Sequence, residues 1–240
     1  MSSQEIFDEL DVIAGNFELE NIENVLKRAE NVDVEKLGSS EKCGFYRRKG
    51  EWLYALSNYA SDKKKRYHLL EQAYESALEG HEANENDFEC CKVLCSTSGR
   101  LAEESGIQKK VHFGFLFKSY LDKAILLNNN DFETLHMRGR FSYTVSQLSL
   151  MERLAAKVIG KIPETSNEEA LQDLLKADKI VPGVAENQLF IGKTYLAMND
   201  YKNAKKWLRT ASENETNVAV EQEHVEEATE LLKDKKLAKV

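Results

Sequence analysis

"NQLFIGKTYLAMNDYKNAKKWLRTASE", Asn187 to Glu213, is the stretch from which the fold can be read. Two helix-forming runs flank the short polar break "MND". Gly192 and Tyr195 lie on the first run, and Ala204, Leu208 and Ala211 on the second. Along the pair the order is small, aromatic, small, large, small. Two antiparallel helices approach closely where Gly and Ala remove bulk, and the larger side chains fill the space on either side.

The same frame recurs upstream. Tyr74/Ala77, Leu121/Ala124, Leu174/Ala177 and Leu208/Ala211 each place a large residue three positions before an alanine, on one helix face. Gly50, Gly139 and Gly192 stand in the preceding helices where a partner would pack. Ala177 and Ala211 are 34 residues apart, the period of the tetratricopeptide repeat. Earlier spacings are longer, 47 from Ala77 to Ala124 and 53 from Ala124 to Ala177, so the array is irregular. From Gly139 to Ala177 there are 38 residues, against 19 from Gly192 to Ala211. The 19 extra residues, 148–166, lengthen one hairpin. They lie within "MRGRFSYTVSQLSLMERLAAKVIGKIPE", Met137 to Glu164, which reads as one uninterrupted helix with no cap in its middle.

Periodicity predicts helices over 3–10, 17–30, 43–59, 62–79, 87–104, 107–127, 131–159, 166–180, 185–198, 201–213 and 218–237. No alternating strand pattern occurs, and only Pro163 and Pro182 interrupt a chain rich in helix formers. The expected fold is all-α: a tetratricopeptide-like helical-hairpin repeat array, a superhelical solenoid, with one extended hairpin. Its expected organisation is an acidic helical cap at 1–35, a repeat domain at 36–217 with its arm at 148–166, and a capping helix at 218–240.

Net charge is −8, and residues 1–35 account for it, with ten acids against Lys27 and Arg28. The remainder balances, which excludes a general nucleic-acid binder but allows local basic patches. No apolar run approaches the roughly 18 residues that span a bilayer, and "MSSQEIFDEL" lacks the pattern of a signal peptide. Cys91 and Cys95, at i and i+4, have no histidine at metal-motif spacing and read with Cys43 and Cys90 as ordinary buried thiols, so no metal or other cofactor is expected. The chain has no GxGxxG, GxSxG or HExxH; its one "GKT", at 192–194, lacks the earlier glycine of a phosphate-binding loop. Catalysis is not expected.

Two candidate sites follow from the frame. Helix positions around the register glycines give a partner-binding groove of Arg47, Tyr54, Lys92, His136, Arg140, Tyr143 and Lys193, with Glu51 and Leu189 facing the same way. Such a groove suits an acidic peptide or an anionic lipid, because Arg offers paired donors. Lys63, Lys64, Lys65 and Arg66 form a basic run at a helix start, where positive charge opposes the helix dipole and points to an external acidic partner. Lys202, Lys205 and Lys206 form a second patch, and the terminal "KDKKLAK" a third.

The stretch "GRFSYTVSQLSLMERLAAKVIGKIPETSNEEALQDLLKADKIVPG", 139–183, resembles the regulator of microtubule dynamics proteins. Gly139, Arg140, Tyr143, Val145, Ser146, Leu148, Ser149, Glu152, Ala156, Gly160, Ile162, Pro163, Glu169, Ala170, Leu171, Lys176, Ala177, Pro182 and Gly183 carry the likeness, and Ile159 departs from an aromatic position. The resemblance covers about residues 40–215 and makes the lengthened hairpin a family feature. It implies a non-enzymatic microtubule-associated scaffold with tubulin as partner, acting in spindle organisation and chromosome segregation, in the cytoplasm and at spindle poles. Relatives with a membrane anchor are associated with lipid binding; this chain is expected to be a soluble, repeat-only member. Lipid transfer and peptide adaptation are the alternatives.

Overall fold

The computed structural model describes residues 3–237, all of whose regular structure is helical. The chain divides into two compact units, 1–127 and 128–240.

The first unit begins with α1 (Ser3–Ala14) and α2 (Leu19–Ala29), followed by a short 3-10 turn, η1 (Val34–Lys36). Two hairpins follow: α3 (Ser39–Tyr59) with α4 (Lys63–Ala83), and α5 (Phe88–Glu103) with α6 (Ile107–Leu127). Phe7, Leu10, Ala14, Ile22, Val25 and Ala29 bury the apolar face of α1 and α2 against Phe45 and Trp52 of α3. Paired bonds from Arg28 to Glu9 and from Arg48 to Asp11 fix α1 against α2 and α3 from outside that core. Asp62 and Asp87 start α4 and α5 by accepting the N–H of Lys65 at 2.7 Å and of Cys90 at 2.8 Å.

The second unit holds α7 (Phe132–Ser146), α8 (Leu150–Ile159), α9 (Asn167–Ile180), α10 (Ala185–Ala197), α11 (Tyr201–Ser212) and α12 (Ala219–Leu231). The hairpins are α7 with α9 and α10 with α11, and α12 packs on α10 and α11. The register glycines sit at the closest approaches. A Cβ at Gly50 would lie 3.1 Å from the Ala73 carbonyl and 3.3 Å from the Ala77 nitrogen. One at Gly139 would lie 2.6 Å from Leu174 Cγ, and one at Gly192 2.7 Å from Leu208 Cγ. The tetratricopeptide-like pairing read from "NQLFIGKTYLAMNDYKNAKKWLRTASE" is therefore how these helices meet.

The single helix expected over 131–159 is two. Ser149 Oγ accepts the N–H of Glu152 at 3.3 Å, and Glu152 Oε2 accepts the N–H of Ser149 at 2.8 Å. This capping box, Ser-Leu-Met-Glu at 149–152, is a break signal hidden under the apolar periodicity that runs through it. Arg153 then reaches back to the last carbonyls before the break, bonding Leu148 at 3.1 Å, Val145 at 3.2 Å and Ser146 at 3.3 Å. The final helix is also shorter than expected: α12 stops at Leu231, and turns lead to Leu237. Of the terminal basic run, Ala238 and Lys239 lie outside the described residues.

Candidate functional site

In the second unit, α7 and α10 each present an i, i+4, i+7 series: His136, Arg140 and Tyr143 on one, Glu186, Phe190 and Lys193 on the other. The two series interlock around Glu186. Arg140 Nη1 bonds Glu186 Oε1, His136 Nε2 lies 3.3 Å from Oε2, and His224 of α12 brings Nε2 within 3.2 Å of Oε1. Below them His136 Nδ1 meets Asn187 Oδ1 at 2.9 Å, and the Asn187 amide donates to the Leu174 carbonyl at 3.1 Å. Those contacts orient the imidazole from its buried side.

Phe190 forms the floor. The Arg140 guanidinium carbon lies 4.6 Å from its ring centre and Lys193 Nζ 4.7 Å, both at cation–π distance. Tyr143 meets Phe190 edge-on at 5.8 Å. Lys193 also bonds Glu227 of α12 at 2.7 Å. The site is thus an aromatic floor carrying two cations, each already matched to a carboxylate of the same unit.

Burial works against a charged Glu186, but Arg140, His224 and His136 outweigh it and hold the carboxyl well below the usual carboxylate range. A group whose folded-state pKa is depressed gives stability above its unfolded value, near 4.5 here, and loses it as pH falls through the folded one. The melting-temperature gap between wild type and Glu186→Gln is therefore expected to shrink as pH drops from about 5 to about 3. A gap that stays constant across that window would show that Glu186 does not titrate as the geometry requires.

The other expected groove residues lie in the first unit. Arg47 and Glu51 pair along α3 at 2.7 Å, and burial pushes the Glu51 carboxyl up despite the attraction of Arg47. On α5, Lys92 pairs with Glu89 at 3.0 Å and sits over the Phe88 ring. Tyr54 is half-buried against Leu53, Ala60, Leu69 and Ala73. Leu189 does not face a groove: it is fully buried with Ala204, Leu208 and Ala211.

The basic patches come out differently. Lys63, Lys64 and Lys65 are exposed. Arg66 is not part of that surface; it is 1% exposed, donates to the Ala60 carbonyl at 2.9 Å and pairs with Glu104 at 3.1 Å. One residue past the lysines, the helix has turned inward. On α11, Lys202 and Lys206 are exposed and Lys205 half-exposed, and Lys206 lies over Trp207 at 5.8 Å. Exposed Arg209, outside the expected patch, extends them to i, i+3, i+4 and i+7 on one face of a helix that contains no acid. Glu186, Phe190 and Lys193 share a face by the same rule, so Glu186 and Phe190 were within reach of the sequence. His224 and Glu227 were not, because α12 stands outside the repeat frame.

A sequence model of the family described as regulator of microtubule dynamics protein 1-3 matches residues 6–237. The chain belongs to that family. It is 30% identical to human regulator of microtubule dynamics protein 2 over 80% of this chain and 50% of the human one. It is 28% identical to regulator 1 of Caenorhabditis elegans over 88% of this chain and 87% of the worm protein. Against regulator 1 of Bos taurus the identity is 28% over 96% and 71%. The chain spans about half or less of several relatives it matches, including the human regulator 2 and the Xenopus laevis regulator 3. Its fold is similar to the crystal structure of a thermophilic TPR protein of Thermus thermophilus, with a TM-score of 0.58 at 14% identity over 95% of this chain and 99% of that one. No helix among the described residues is long and apolar enough to cross a membrane.

Proposed function

We propose that this member of the family binds microtubules directly, as a non-enzymatic scaffold, through its exposed basic surfaces. The supporting observation is how charge is distributed. Each cation of the expected groove has a carboxylate beside it: Arg47 has Glu51, Lys92 has Glu89, Arg140 has Glu186 and Lys193 has Glu227. By contrast, Lys202, Lys206 and Arg209 are exposed along α11, a helix with no acid in it, and Lys63 to Lys65 project from the start of α4. Acidic tubulin surfaces and tails complement such stripes, and each helix sets the spacing of the charges it carries. In this reading the chain acts in spindle organisation and chromosome segregation, in the cytoplasm and on spindle microtubules.

Co-sedimentation with taxol-stabilised microtubules at low and moderate salt tests it. Wild type is expected to pellet at low salt and to be released as ionic strength rises. Lys202/Lys205/Lys206/Arg209→Ala is expected to weaken pelleting about tenfold, Lys63/Lys64/Lys65→Ala less, and Lys193→Ala hardly at all. Absence of wild-type pelleting at any salt, or equal pelleting by all variants, would remove the proposal.

A second reading, lipid binding, is favoured by α8. Leu150, Met151, Leu154 and Val158 are 74%, 64%, 51% and 87% exposed along this helix, beside exposed Lys157. Such a face suits the interface of an anionic bilayer. Failure of wild type to float with anionic vesicles would set this reading aside, and flotation that survives Leu154→Asp would show that α8 does not carry it.

A further inference from the structure

Three side chains at the junction of α3, α4 and α5 have no part in the binding surfaces above. Cys43 Sγ and Cys90 Sγ lie 3.6 Å apart, both thiols being buried. A carboxylate oxygen of Asp87 joins them, and the three donor atoms all fall within 4.8 Å of one another. We propose that Cys43, Asp87 and Cys90 form a binding site for a thiophilic divalent cation of the zinc class, with the thiolates and the carboxylate as ligands and water in the fourth position.

The distances fit. Two thiolates bound tetrahedrally to one zinc ion, each at about 2.3 Å, stand about 3.8 Å apart. The 3.6 Å separation already present needs only a small adjustment to receive the ion. Asp87 is held for the task by its backbone role, since one of its oxygens accepts the Cys90 N–H at 2.8 Å. That bond ties a ligand at the head of α5 to another ligand three residues on. Gly80 keeps the space beside the sulfurs open: a Cβ there would lie 3.0 Å from Cys90 Sγ and 3.2 Å from the Cys43 carbonyl. Asp87 is half-buried, and the α4–α5 turn residues before it, Asn84, Glu85 and Asn86, are exposed.

The electrostatics close as well. Two thiolates and a carboxylate around a divalent ion leave one negative charge, and the Arg47 guanidinium acts on both sulfurs and on Asp87. Without metal, burial pushes both thiols up, so they remain protonated and chemically quiet. Binding expels both protons to solvent, and affinity must therefore weaken with acid. Cys91 and Cys95 do not share the site. Cys91 Sγ faces His81 Nδ1 and the Glu85 carbonyl, each at 4.0 Å, and Cys95 lies deeper in α5. Spacing conceals the constellation in the sequence, because Cys43 stands 47 residues before Cys90.

Cadmium titration of the reduced 240-residue chain tests the proposal, followed by the ultraviolet thiolate-to-cadmium charge-transfer band. One equivalent is expected to saturate the band in wild type. Cys43→Ser and Cys90→Ser should abolish it, whereas Cys91→Ser and Cys95→Ser should retain it. Because a buried serine could impair folding, Asp87→Asn serves as the second variant. It keeps a capping oxygen and both thiols, and is expected to weaken cadmium at least tenfold and to lose the metal-induced rise in melting temperature. A pair of ordinary buried thiols would give no band. That result, a band that persists in Cys43→Ser or Cys90→Ser, or an Asp87→Asn affinity equal to wild type would each overturn the site.

Discussion

Gly139→Ala is expected to lower the melting temperature by about 5 °C, corresponding to about 2 kcal/mol in a chain of this size. Helix propensity alone predicts the opposite, because alanine favours a helix interior over glycine by about 1 kcal/mol. Packing reverses the sign. The new methyl would lie 2.6 Å from Leu174 Cγ and 3.0 Å from the Ala170 carbonyl of α9. Leu174 is fully buried and cannot swing into solvent, so α7 and α9 must separate or Leu174 must leave its rotamer. Gly192→Ala is expected to behave alike, with Leu208 as the obstacle at 2.7 Å. Gly114→Ala provides the control. It lies within α6 with no atom near its would-be Cβ, and alanine there should raise the melting temperature. Thermal unfolding of the three variants side by side decides the matter. If Gly139→Ala were as stable as Gly114→Ala, the close crossing would not exist.

Arg66→Ala is expected to cost about 3 kcal/mol, and Lys63→Ala, three residues earlier, less than about 0.5 kcal/mol. The guanidinium bonds the Ala60 carbonyl at 2.9 Å and Glu104 at 3.1 Å from a fully buried position. Removing it strands that carbonyl and leaves Glu104 to the longer pairing with Arg100 at 3.9 Å. A poorly matched charge away from water weighs far more than an exposed lysine lost to solvent. Chemical denaturation of the two variants measures the difference. Equal midpoints would return Arg66 to the exposed patch that the sequence alone suggested.

Basic run and buried ion pair differ here only by one helical step. "KKKR" gives no sign that its fourth member turns inward, because that depends on α5 bringing Glu104 alongside. Likewise the groove cations were legible from their place relative to Gly50, Gly139 and Gly192, but their neutralisation was not. Glu186 could have been found on the face of α10, seven residues before Lys193. His224 and Glu227 could not, since α12 has no counterpart in the repeat and reaches the site only by packing on α10 and α11.

The sequence by itself determined the helical class, the hairpin pairing and the family. Those rest on local properties: periodicity, small residues at fixed spacing, and a contiguous motif from Gly139 to Gly183. Its capping box at Ser149 was legible too, although the apolar periodicity running through 137–159 masked it. Only the tertiary structure decided which charges are neutralised within the fold, and which sulfurs lie together. Both depend on side chains dozens of residues apart, His136 with Glu186 and Cys43 with Cys90, and no local pattern encodes a distance between such residues.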